Sequence, residues 1–202
     1  GFRSRPRSAG HPSPIVVMPG ASPDVSALGD NFLVVTTAFA PHPHFRDAWA
    51  RRVNGAGQFM DADRLYRGGV DTQFARVATS VDRWLTTWQT NWTHDSPNSD
   101  VAARFVEADG TRPPALGVAS TSGGNGHPDI AVGPDYALFV WRSNTLANAN
   151  NDVQCRRMRP AGTMADPANV MVSAAPYRQL FPVAAWTGTE YFMAWDDRRN
   201  AD

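Results

Sequence analysis

No lysine occurs anywhere in the 202-residue chain, and all 19 of its basic residues are arginine. This reads first as the composition bias of a GC-rich source, and second as a surface whose cations stay charged and favour bidentate pairing. No excess of either charge exists: the 19 acidic residues balance the arginines to a formal net charge of zero. Bulk charge therefore gives no support to nucleic-acid binding. Cysteine is almost absent, and the single Cys155 excludes an intrachain disulfide and a cysteine-rich zinc site. No apolar run reaches the length of a membrane-spanning helix, so insertion into a bilayer is not expected. No signal peptide is visible and the sequence starts at Gly1 rather than Met, as expected of a mature or trimmed product whose targeting segment is absent. Nucleophile elbow, phosphate loop, HExxH and dinucleotide fingerprints are all missing.

What is present is a turn-rich, apolar composition. Glycine and proline number 16 each, and 42% of residues are hydrophobic. That suits many short strands and disfavours long helices. Four segments share one pattern: a short apolar run, a tight turn, then a second apolar or aromatic run. The pairs are Val25–Ala27 with Phe32–Val35, Val77–Ala78 with Trp84–Trp88, Ile130–Val132 with Ala137–Trp141, and Val183–Ala185 with Tyr191–Trp195. Trp88, Trp141 and Trp195 share one position, filled by Thr36 in the first copy, and are expected in the core. That position lies 11 residues after the first apolar residue in three copies and 12 in the fourth. A second anchor follows, an Asp with a Gly ten residues on: Asp47 and Gly57, Asp100 and Gly110, Asp152 and Gly162. A further apolar strand comes next, clearest at Val170-Met171-Val172. Four short strands per repeat make a propeller blade.

The ends continue the register. Counting Gly1 after Asp202 puts Gly10 ten residues past that Asp, and Ile15-Val16-Val17 would supply the outer strand. The expected fold is therefore all-β, a four-bladed β-propeller of four-stranded antiparallel blades, closed by a blade shared between the termini. As a single domain over 1–202, its blades cover about 21–70, 71–123, 124–174, and 175–202 with 1–20. A monomer, an end-exchanged dimer and a piece of a longer propeller all fit this register.

Trp195-Asp196-Asp197-Arg198, followed by a loop and the D-x-x-x-R strings at Asp47, Asp100 and Asp152, resembles the propeller repeats of secreted myxobacterial-type proteins. The resemblance implies the fold and an extracellular or cell-surface setting. In blade count and length the chain resembles hemopexin, but it shares no motif with it.

Candidate sites follow from the scaffold. Asp24, Arg76 and Asp129 precede the innermost strands, with Pro182 as the fourth member, and line the expected channel, where an ion could bind. Trp92 and His94 sit in a blade-end loop suited to stacking a sugar. His42 and His44 share another such loop. Asn150 and Asp152 lie in the loop richest in oxygen donors and are the candidate calcium ligands, against a plain turn role. Arg51, Arg104 and Arg156, four residues after the anchor aspartates, read as structural ion pairs with them. Near-regular repeats without an asymmetric catalytic cluster lean away from an enzyme. They favour a non-enzymatic, lectin-like binding or structural module recognising a carbohydrate or protein. The alternatives are a propeller glycan hydrolase using carboxylates such as Asp129 or Asp196, and a structural subunit of an extracellular assembly.

Overall fold

A computed structural model describes residues 14–39, 46–67, 72–90, 99–119, 123–144 and 151–199. The described chain is all β. The first sheet holds β1 (Ala21–Leu28), β2 (Asn31–Phe39), β3 (Arg46–Asn54) and β4 (Tyr66–Arg67), in that order. The second holds β5 (Gln73–Ser80), β6 (Arg83–Thr90), β7 (Asp100–Glu107) and β8 (Leu116–Ala119). The third holds β9 (Gly124–Val132), β10 (Ala137–Asn144), β11 (Asn151–Met158) and β12 (Val170–Ser173). The fourth holds only β13 (Gln179–Trp186) and β14 (Tyr191–Asp197). Neighbouring strands are antiparallel throughout. The first three sheets have the four-stranded antiparallel order of a propeller blade, and the fourth has the order of a blade's two inner strands. The anchor glycines stand in left-handed turns after the third strands, with φ of +78° at Gly57, +93° at Gly110 and +89° at Gly162, a conformation that suits glycine.

The core lies between blades rather than within one. Leu33, Val35 and Ala50 of the first blade meet Val77, Trp84 and Trp88 of the second. Leu85 and Val101 of the second meet Ile130, Phe139 and Trp141 of the third. Leu138 and Val140 of the third meet Ala184, Met193 and Trp195 of the fourth. Middle strands are covered on both faces, so β6 is buried from Trp84 to Gln89 and lacks the polar alternation of a one-sided sheet. The repeated Trp packs toward the preceding blade. Trp88 and Trp141 are fully enclosed, whereas Trp195 is only half-buried, contrary to the expectation of a third core Trp. Among the described residues no outer strand lies beside β14 to cover it.

Closure by a shared blade is likewise not what the described residues show. β1 packs on β5, β5 on β9 and β9 on β13, but no comparable packing joins β13 to β1. Residues 1–13 and 200–202, which the shared blade needs, lie outside the described residues. Ile15-Val16-Val17 is not a strand. Its carbonyl at Val17 accepts a bond from Arg51 Nη1 at 3.3 Å. Arg156 makes the same reach to the carbonyl of Val118, on the outer strand of the blade before its own, at 3.0 Å. Residues 15–17 thus stand beside the first blade as β8 stands beside the third.

These contacts also correct the expected ion pairs. Arg51 and Arg156 bond carbonyl oxygens, at Asp61, Ala62 and Val17 for the one, and at Asp166, Pro167 and Val118 for the other. The ion pairs belong to the next residues: Arg52 with Asp61 and Arg157 with Asp166, each at 2.6 Å. The Arg52 and Asp61 side chains are only 9% and 8% exposed. Arg52 also reaches the carbonyl of Ala108 in the second blade. Removing one partner of an enclosed pair leaves the other charge uncompensated, so Asp61→Ala is expected to cost about 3–5 kcal/mol in a denaturant titration. A loss under about 1 kcal/mol, the range of an exposed pair, would show that solvent screens it. The Arg157 side chain is 48% exposed, so Asp166→Ala should cost less.

Candidate functional site at the channel mouth

The four innermost strands break register at one equivalent place: between Ala21 and Asp24, Gln73 and Arg76, Gly126 and Asp129, and Leu180 and Val183. A β-bulge sits there in every blade. The bulged residues Ser22, Phe74, His127 and Phe181 have φ of 52°, 54°, 51° and 50°. Positive φ is costly for side chains of this size, and a fourfold repeat of it marks a designed feature. The next residues are Pro23, Ala75, Pro128 and Pro182. Proline fits a bulge because it has no N–H to leave unpaired.

The bulge fixes the equivalent positions. Asp24, Arg76 and Asp129 correspond to one another, as expected, but the fourth member is Val183, not Pro182. From this position to Thr36, Trp88, Trp141 and Trp195 the interval is then the same in all four blades. The extra residue counted in the fourth copy came from starting one place too early, at Val183, when Ala184 fills the place of Val77.

The two aspartates clasp blades together. Asp24 accepts bonds from its neighbour's amide, Val25 N, and from Val77 N of the second blade, both at 2.9 Å. Asp129 accepts from Ala184 N of the fourth blade at 2.8 Å. Arg76 lies between them in strand order, on β5. Its Nη1 donates to the Ala75 carbonyl at 2.9 Å, and its Nε stands 3.9 Å from Asp129 Oδ1. Burial raises the pKa of Asp129 above the usual carboxylate range. The amides of Ala184 and Ile130 and the charge of Arg76 oppose that rise, and the charge of Asp24 adds to it.

The bulged side chains of three successive blades converge. The rings of Phe74 and His127 lie 3.9 Å apart, and Phe181 meets His127 edge-on at 4.8 Å. His127 is held neutral, its pKa pushed down to about 4 by burial and then by Arg142 and Arg76. Phe181 is 53% exposed. Gln89 Oε1 accepts from the His127 amide at 3.3 Å. Gly126 beside it has no room for a side chain, since a Cβ would fall 2.4 Å from Gln89 Oε1 and 3.3 Å from Arg142 Nη2.

Of the residues expected to act, Asp24, Arg76 and Asp129 stand at equivalent inner-strand positions, with Arg76 beside Asp129. Trp92, His94, His42, His44 and Asn150 lie outside the described residues. Asp152 pairs across β10 with Ser143, and burial raises its pKa. Among the described residues, no three His, Cys, Asp or Glu side chains gather to hold a metal. Asp196 and Asp197 pair with Arg198 and Arg199 at 3.2 and 2.8 Å, a local turn arrangement. Phe74, His127, Phe181 and Arg142 were missed in the sequence. The signal for three of them was the tripeptide ahead of each inner strand: Ser22-Pro23-Asp24, Phe74-Ala75-Arg76, His127-Pro128-Asp129 and Phe181-Pro182-Val183. Two surface cavities lie elsewhere. One, of about 380 Å³, is lined by Gly20, Thr37, Arg46 and Trp49 in the first blade. The other, of about 440 Å³, lies where Gly117 and Val118 face Arg156 and Asn169.

No family model and no curated protein matches the chain. Solved structures do. A thermostable family-43 glycoside hydrolase superposes with a TM-score of 0.60 at 12% identity, over 86% of this chain and 64% of its own. The Penicillium chrysogenum α-L-arabinanase complexed with arabinobiose gives 0.65 at 9% identity, over 86% and 58%. A Synechocystis apocarotenoid oxygenase gives 0.50 at 9% identity, over 82% and 40%. The chain spans less than two thirds of the length of each of these, and the hydrolases among them are five-bladed propellers. Identities this low speak for architecture alone, since one fold hosts unrelated chemistries. The described residues form successive antiparallel sheets packed one on the next, and the chain has a β-propeller-like fold.

Proposed function

We propose that the channel mouth is a carbohydrate site and that its chemistry is hydrolysis of a glycosidic bond by Asp24 and Asp129. The observation that carries this reading is their placement. They occupy equivalent inner-strand positions two blades apart, close enough for the charge of Asp24 to raise the pKa of Asp129. Glycoside hydrolysis needs two carboxyl groups with different protonation states flanking the bond. Asp129 is the acid: its carboxyl gives a proton to the leaving oxygen. Asp24 is the carboxylate partner: as general base it takes a proton from the water whose oxygen bonds to the anomeric carbon. Backbone amides fix both side chains, as preorganised acid–base chemistry requires. Both glutamates of the chain lie away from this site: Glu107 pairs with Arg83, and Glu190 stands in the β13–β14 turn. The likeness to arabinanases supports a furanoside or pyranoside polymer as substrate class. The test is release of reducing sugar from a panel of plant polysaccharides and nitrophenyl glycosides. Turnover on any of them supports the reading, and none on the whole panel overturns it.

A second reading, a binding module without turnover, is favoured by one observation. The same amide bonds that orient Asp24 and Asp129 also hold the blades together, so both carboxylates have a structural task. Saturable glycan binding without product would select it.

A further inference from the structure

We infer that the saccharide held at the channel mouth is acidic, and that Arg142, between the third and fourth blades, receives its carboxylate. This rests on reading the mouth as a glycan site and names the substrate class.

Arg142 directly follows Trp141 on β10. Thr37, Gln89 and Asp196 hold the same place in the other blades, so an arginine here is not demanded by the repeat. Gln89 uses the position to bond the bulge of the next blade. Arg142 makes no such bond. Its Nε is buried without a partner, and no carboxylate lies within ion-pair distance among the described residues. Burial, and after it the charge of a second cation, Arg178, depresses its pKa. Arg52, Arg83, Arg51 and Arg156 each find an oxygen for the guanidinium: Asp61 for Arg52, Glu107 for Arg83, and carbonyls for Arg156 and for Arg51, whose Nε is likewise unpartnered. A largely enclosed guanidinium with a like charge beside it is unfavourable unless something anionic completes it.

The surroundings specify what that anion carries. A neutral His127, with Nδ1 buried and unpartnered, stands within electrostatic reach of Arg142. Phe181 stands nearly perpendicular to the same imidazole and leaves about half of its surface, 53%, exposed. A sugar ring packs its C–H face on such a surface, while a carboxylate on that ring matches the planar fork of arginine. A free inorganic anion would use the arginine but not the aromatic face. A uronic-acid unit uses both.

The test is calorimetric titration of the purified protein with a galacturonate trisaccharide and with a neutral arabinose trisaccharide, at low and high salt. The expected result is tighter binding of the uronate, weakened by salt. Arg142→Gln should weaken uronate binding about tenfold or more, the loss of one charge-assisted contact. Arg178→Gln, an exposed change that keeps the fold, should weaken it less and in the same direction. Equal binding of both saccharides, indifferent to salt and to Arg178→Gln, overturns the acidic preference and leaves the glycan reading standing. Binding of neither overturns both.

Discussion

Asp129→Asn is expected to slow hydrolysis of a natural glycan by about 10²–10⁴-fold, the usual contribution of a general acid. The loss should be much smaller on a nitrophenyl glycoside, whose leaving group departs without a proton. The substitution is conservative in structure, because the amide oxygen of Asn can still accept from Ala184 N, where Asp129 accepts now at 2.8 Å. A melting curve close to that of the unaltered protein would confirm that the blade clasp survives. The pH dependence follows from the raised pKa of Asp129, which burial sets first and Asp24 increases. The active form of an acid is the protonated one. Activity should therefore hold below the folded pKa of Asp129 and fall as pH rises through it, and this limb should vanish in Asp129→Asn. Equal losses on both leaving groups would assign Asp129 to the clasp alone.

The blades were legible in the sequence because their apolar spacing answers to packing that recurs. Phe32–Val35, Trp84–Trp88, Ala137–Trp141 and Tyr191–Trp195 all fall on second strands, and Gly57, Gly110 and Gly162 all stand in left-handed turns. Asp24, Arg76 and Asp129 were legible for the same reason. The fourth channel position was misplaced because a bulge adds a residue that an apolar count cannot see: Phe181-Pro182-Val183 carries an apolar residue where two other blades carry Asp. Arg51 and Arg156 were assigned to the wrong partners because spacing along a strand says nothing about the carbonyls of the loop that follows it or of the chain packed alongside. The aromatic cluster was invisible because Phe74, His127 and Phe181 are far apart in sequence and each looks like an isolated residue before a strand. Only the packing of β5, β9 and β13 on one another brings them to 3.9 and 4.8 Å.

Trp141→Ala is expected to be the most damaging single change to stability. The side chain is wholly buried, packed among Leu85, Val101 and Phe139 where the second and third blades meet. Truncating a buried Trp costs about 3–5 kcal/mol through lost burial and the cavity left behind. Its Nε1 also donates to Asn125 Oδ1 at 3.1 Å, within the core, and losing that bond adds roughly 0.5–1.5 kcal/mol. The sum is a large share of the stability of a typical domain. Because the cores lie between blades, the damage should spread to the inter-blade contacts on either side rather than stay local. Trp141→Phe, which keeps most of the volume and loses the hydrogen bond, should cost far less. Trp195→Ala supplies the contrast: the same position in the fourth blade is only half-buried. Denaturant titrations should rank the losses Trp141→Ala, then Trp195→Ala, with Trp141→Phe near the second. A loss at Trp195 as large as that at Trp141 would mean that further chain covers β14 in solution, completing the blade that the described residues leave two-stranded.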